Sequence, residues 1–166
     1  MEANRKYCLV LDFDNVINAY DAYQYNPQKY ETTNLQHNNE RYNVYYDPEV
    51  INKINQLGSH DDIDIVWLTT WFDHTNQFEI LGLENFVSIK PIDMNQNDIH
   101  LGFLWKATAL DNYLSDHHYV ESFWFDDDPR VYQKLSKKYN IKQMLINPFI
   151  ALTINDLENV EKEILS

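Results

Sequence analysis

The chain has 166 residues, the size of one ordinary domain that needs no disulfide or structural metal to fold. Its content, 44% hydrophobic and 14% aromatic, is that of a globular protein, and a lone Cys8 excludes an internal disulfide framework. Thirteen basic against 26 acidic side chains give a net charge of −13, which argues against gripping long duplex DNA or an anionic membrane.

No apolar run approaches the ~20 residues of a membrane span, and the polar N-terminus leads into a strand too short for a signal peptide. These features predict a soluble, cytoplasmic protein. Three glycines are too few for a P-loop or a dinucleotide fingerprint, so Asn and Asp must supply the turns. A phosphorylated ligand remains compatible with the acidic chain, because a local metal ion or lysine can dominate a pocket.

In chain order, Tyr7-Cys8-Leu9-Val10-Leu11 reads as a buried strand ending in Asp12-Phe13-Asp14. Residues 18–46 are polar, Asn-rich and tyrosine-rich, and read as a flap or small hairpin insertion that follows the first strand and hangs over the active-site crevice. Asp47-Pro48 opens a helix whose Val50, Ile51, Ile54 and Leu57 share one face. A second strand spans 63–68 and closes on Thr69-Thr70. Asp73 or Thr75 caps a short helix ending near Gly82, and a short strand follows at 86–89. Helical spacing spans 105–114, and 122–125 is a strand delivering Asp126-Asp127-Asp128-Pro129. A helix over 129–139, a strand at 143–146 and an acidic helix over 153–165 complete the chain. Strands alternating with helices predict a doubly wound parallel α/β sheet in one domain, residues 1–166, with the ligand crevice at the strands' carboxyl ends. Asp12, Thr69 and Asp126 all fall at such ends.

Asp12, Asp14, Asp126 and Asp127 would crowd carboxylates into that crevice, an arrangement that persists where a cation is bound or a proton shared. Oxygen ligands suit Mg²⁺, while Thr69 and Lys106 offer donors to a phosphate. The set suits phosphoryl transfer through a carboxylate nucleophile.

The run Leu11-Asp12-Phe13-Asp14-Asn15-Val16 resembles the first motif of the haloacid dehalogenase (HAD) superfamily. Val66-Trp67-Leu68-Thr69 resembles its second motif, Trp105-Lys106 its third, and Phe123-Trp124-Phe125-Asp126-Asp127 its fourth. The ordered set, with Trp-Leu-Thr-Thr-Trp and Asn147-Pro148 before Leu152-Thr153, is similar to the small HAD domain associated with Swiss army knife RNA-repair proteins. The resemblance implies a Rossmann-like HAD fold with the 18–46 insertion and no large cap domain. It implies Asp12 as nucleophile and Mg²⁺ ligand, and Asp14 as proton donor and base with its backbone carbonyl on Mg²⁺. Thr69 would hold phosphoryl oxygens, Lys106 would offset negative charge, and Asp126 with Asp127 would complete the metal site. Asn15 stands where the family often has Gly or Thr. Asn tolerates left-handed backbone, so the turn is expected to survive.

Bland readings compete at several positions. Asp127 and Asp128 suit the N-terminus of the helix expected at Pro129. Thr70 rivals Thr69, which directly ends the apolar run, and Lys90 rivals Lys106, which opens the helix leading to the Asp126 strand. Trp67, Trp105 and Trp124 read as core or crevice wall. A phosphate-receiver domain is excluded by order, because its acidic pair precedes its Thr and Lys. The expected activity is Mg²⁺-dependent phosphomonoester hydrolysis through an aspartyl-phosphate, on a nucleotide or nucleic-acid terminal phosphate. Asn15, Thr70, Trp71, Tyr23, Tyr25 and Tyr42 are candidate substrate contacts, with the tyrosines either stacking on a base or forming the insertion's own core. A small-metabolite phosphatase and a weakly catalytic binding module are the alternatives.

Overall fold

A computed structural model describes residues 6–91, 103–128, 135 and 138–166. Strands β1 (Tyr7–Leu11), β4 (Ile63–Trp67), β5 (Phe86–Ser88), β6 (Glu121–Asp126) and β7 (Ile141–Leu145) form a parallel sheet in the order β5-β4-β1-β6-β7. The chain builds outwards from β1 through β4 to β5, then crosses back to lay β6 and β7 on the other side of β1. That reversal puts the topological switch at the carboxyl ends of β1 and β6.

Both faces of the sheet are covered, and side-chain alternation along β1 shows how. Leu9 and Leu11 pack on α2 (Pro48–Gly58) and α4 (Ile154–Leu165), whereas Cys8 and Val10 pack on α3 (Phe103–Asp116). Leu9, Ile65, Trp67, Phe123 and Phe125 meet Ile54, Leu57 and Leu157 in the first core layer. Val66, Trp124, Trp105 and Leu110 fill the second. The period-2 strands and the apolar stripe of α2 are thus two views of one packing requirement.

Local sequence sets the helix starts. Asp47 accepts the Glu49 N–H at 3.0 Å, with Pro48 at the first helical position. Thr153 and Asp156 form a reciprocal capping box on α4. The segment at Thr75–Leu81 is a 3₁₀ turn with no side-chain cap from Asp73 or Thr75; Gly82, at φ +88°, ends it. The helix expected over 129–139 lies largely outside the described residues.

Residues 18–46 carry a short helix α1 (Tyr20–Tyr23), a 3₁₀ turn (Pro27–Lys29) and the antiparallel hairpin β2 (Glu31–His37) and β3 (Glu40–Tyr46). The hairpin turns on Asn38 and Asn39, both at positive φ, the backbone that a tight two-residue turn demands. Leu35 and Val44 fix it to the core layer of α2. Gln77 clamps Gln36 by donating to its carbonyl and accepting its N–H at 2.7 Å. At the far end the Ala19 N–H donates to the Tyr45 carbonyl at 2.7 Å. That bond closes the insertion on itself, while Gln77, the Leu35 and Val44 packing and the Tyr30 hydroxyl, which donates to the Ile150 carbonyl at 3.1 Å, tie it to the body. Among the described residues no helix is long and apolar enough to cross a membrane.

Candidate active site

Parallel register sets the first two residues of the site. Leu11 lies beside Phe125, so the next residues, Asp12 and Asp126, emerge side by side at the switch point, and the Asp12 N–H donates to the Phe125 carbonyl at 3.0 Å. Both share the even parity of Val10 and Trp124, which face α3. Lys106, in the first turn of α3, closes this space: its Nζ lies 3.0 Å from Asp12 Oδ2 and 2.8 Å from Asp126 Oδ2. A lysine there opposes the helix dipole, and the two carboxylates supply the compensation. All three are nearly buried, at 7%, 8% and 1% exposure for Asp12, Lys106 and Asp126.

Backbone donors complete the carboxylates. Asp12 Oδ1 accepts the Phe13 N–H at 2.7 Å and Asp126 Oδ1 the Asp128 N–H at 2.9 Å. Burial raises the Asp12 pKa to about 7, with Lys106 pulling it down and Asp126 pushing it up. Burial would lower the Lys106 ammonium, but Asp12 and Asp126 outweigh it and hold its pKa above the ordinary value. Asp127, half-buried, is also raised, by burial and then by the Asp126 charge, against Lys106 and an Asn15 hydrogen bond. Oxygens of Asp12, Asp126 and Asp127 lie within 4.8 Å of one another. Three carboxylates against one ammonium leave excess negative charge on hard oxygen donors, a set that fits Mg²⁺.

Asp14 stands apart from that cluster. Its Oδ1 accepts from Asn18 Nδ2 and its Oδ2 from Trp71 Nε1, each at 3.0 Å. Phe13, between the aspartates, stacks on Phe78 at 4.2 Å and anchors the loop in the core. Asn15 takes φ +60°, as its tolerance of left-handed backbone predicts. Thr69 is fully buried; its Oγ1 accepts the Trp71 N–H at 3.3 Å, leaving the hydroxyl hydrogen to donate. Lys90 lies elsewhere, in an exposed pair with Asp73.

A model of the HAD domain in Swiss Army Knife RNA repair proteins matches residues 8–156. The chain belongs to that family. No curated protein and no solved structure matches it. Membership supports phosphatase-type chemistry, and the acidic cluster of this HAD domain is compatible with it.

Beyond Asp14 this HAD domain has a cleft of about 510 Å³ between its first loop and the hairpin. Of the anticipated substrate contacts, Asn15, Thr70, Trp71 and Tyr42 line it. Tyr23 and Tyr25 do not: Tyr23 stacks on Tyr45 at 4.0 Å, and Tyr25, 74% exposed, meets the edge of Phe149. Sequence reading passed over Asn18, His37 and Arg41, which also line the cleft. Asn18 and Trp71 are the more instructive pair, since they brace Asp14 from both sides. A polar residue four positions after the second aspartate was the available sign for Asn18, but nothing local marks His37 or Arg41.

Proposed function

We propose that the chain is a Mg²⁺-dependent phosphomonoester hydrolase that works through an aspartyl-phosphate on a nucleotide or nucleic-acid terminal phosphate. The observation that carries this reading is the buried Asp12–Lys106–Asp126 arrangement beside Asp127, with Asp14 braced separately by Asn18 and Trp71. Asp12, Asp126 and Asp127, with the Asp14 backbone carbonyl, would hold Mg²⁺, which supplies charge neutralisation to the phosphoryl oxygens.

A carboxylate oxygen of Asp12 attacks phosphorus as the ester P–O bond breaks. Asp14 gives its proton to the departing oxygen. Asp14 then takes a proton from water, the resulting nucleophile attacks phosphorus, and the Asp12–phosphorus bond breaks to release inorganic phosphate. Lys106 favours the ionised form of Asp12 and orients it, while the Thr69 hydroxyl donates to a phosphoryl oxygen. The family's RNA-repair context and the aromatic cleft beside Asp14 support a nucleotide-bearing substrate.

The test is turnover of an aryl phosphate with Mg²⁺ and with a chelator, followed by a panel of 3′- and 5′-phosphorylated nucleotides and sugar phosphates. Metal-dependent release and faster cleavage of nucleotides are expected. Better turnover of sugar phosphates would make it a small-metabolite phosphatase. No turnover of any substrate, with nucleotide still bound, would make it a binding module.

A further inference from the structure

The cleft starts at Asp14 and runs away from Asp12 along the outer edge of β3. An in-line displacement puts the leaving oxygen opposite Asp12 and beside the acid that protonates it. The body of the leaving group then lies in this cleft, whose volume suits a small ligand, a class that occupies about 300–1,000 Å³.

Its walls offer three kinds of contact. His37 and Tyr42 meet the Trp71 ring at 4.6 and 6.0 Å, giving an aromatic surface for a base. The β3 edge supplies backbone donors and acceptors. Tyr45 turns its N–H and carbonyl outwards, to Asn18 Oδ1 and to the Ala19 N–H. Antiparallel alternation directs the same groups of Asn43 and Arg41 outwards too, and no described residue outside the hairpin bonds them.

The third contact is the Arg41 side chain. The described lysines, apart from Lys162 in the last turn of α4, each meet a carboxylate. Arg41 meets none among the described residues, although the chain holds 26 acidic side chains. Alternation puts the Arg41 side chain on the hairpin face opposite His37 and Tyr42, with Asn43 and Tyr45, so it borders the cleft from across the β3 edge. A guanidinium there, beyond the stacking rings and the open backbone polar groups, suits a phosphodiester joined to a base.

We propose that the cleft is the leaving-group subsite and that Arg41 binds the phosphodiester next to the terminal phosphate, so the substrate is an oligonucleotide end carrying at least two phosphates. This rests on the hydrolase reading above. It adds that a mononucleotide, lacking the second phosphate, is the poorer substrate.

The experiment measures kcat/KM with Mg²⁺ on adenylate dinucleotides bearing a 3′- or a 5′-terminal phosphate, and on 3′- and 5′-AMP, for wild type, Arg41→Ala, Arg41→Lys and the charge control Lys162→Ala. Wild type should prefer one of the dinucleotides over its mononucleotide by about tenfold, the scale of one charge-assisted hydrogen-bonded contact. Arg41→Ala should bring that ratio close to one, Arg41→Lys should keep part of it, and Lys162→Ala should leave it unchanged. The wild-type preference should also shrink as salt rises. A ratio near one in wild type, or a ratio that survives Arg41→Ala, overturns the inference while leaving the hydrolase intact. Absence of metal-dependent turnover on aryl phosphate overturns the hydrolase reading instead.

Discussion

The two sides of Asp14 are built on opposite principles. Asp12, Lys106 and Asp126 are nearly buried, held by adjacent parallel strands and one helix, and each carboxylate is tied to a backbone N–H. Across the loop, Arg41 and Tyr42 sit exposed on a two-stranded hairpin, pinned through Gln36 and Gln77 and through Tyr45. Burial strengthens charge interactions and requires every charge to have a partner, which suits a fixed reaction centre. Exposure leaves side chains unpaired for a ligand at little cost, which suits selection among substrates. Damage in the first region should therefore strike every substrate, and damage in the second should change their ranking.

The largest effect is expected from Asp12→Asn. Its amide cannot attack phosphorus, so turnover of aryl phosphate and nucleotide alike should fall at least ~10³-fold. The variant should melt no earlier than wild type, since it removes one of the crowded carboxylates; retained turnover would break the assignment of chemistry to the buried side.

Asp126→Asn should lower rate and Mg²⁺ affinity together, beyond the ~10–100-fold typical of residues outside the metal's own ligands. Asp128 contributes to Asp126 through its backbone N–H, which Asp128→Ala keeps. That variant should cost at most ~1 kcal/mol in stability. Equal catalytic losses, read from metal titrations of rate, would shift the metal site by two residues.

Acidity sharpens the contrast in the metal-free protein. Folding raises the Asp12 pKa from 3.8 to about 7, so between those values the folded state holds a proton that the unfolded chain releases. This contribution is present below pH 3.8 and is lost as pH rises towards 7. Lys106 acts in another window: its raised pKa favours folding below its unfolded value of 10.5 and is lost at higher pH. Thermal melts without metal should therefore fall more steeply from pH 4 to 7 for wild type than for Asp12→Asn. Added Mg²⁺ should recover the loss at pH 7.

The smallest effects belong to the hairpin. Tyr42→Ala should raise KM for the preferred nucleotide by the equivalent of ~1–3 kcal/mol, if one base stacks there, and spare a small aryl phosphate. Tyr25→Ala should change neither, because its ring lies against Phe149 outside the cleft. Equal losses on every substrate from Tyr42→Ala would make the hairpin structural.

Much of the buried region is legible in the sequence. Apolar alternation marks β1 and the stripe of α2, Asp47-Pro48 marks a helix start, and four short motifs in order name Asp12, Thr69, Lys106 and Asp126. These signals are local: a strand's parity and a helix's cap depend on neighbours a few residues away. Boundaries slipped where tertiary contacts decide them. One example is β7, which begins at Ile141 because it pairs with Ser122. Another is Thr75–Leu81, which winds as 3₁₀ without the expected cap.

The α/β alternation, the acidic strand ends and the turn tolerance of Asn15 follow from the sequence alone. Tertiary structure alone decided that, of the seven tyrosines in 18–46, Tyr20, Tyr42 and Tyr45 line the cleft beside Asp14. It also decided that Trp71 and Asn18 converge on Asp14 from 57 and 4 residues away, and that Arg41 meets no carboxylate among the described residues. The physical reason is that periodicity assigns a side chain to a face, whereas partnership across space depends on how hairpin, loop and sheet dock, and no single segment encodes that docking.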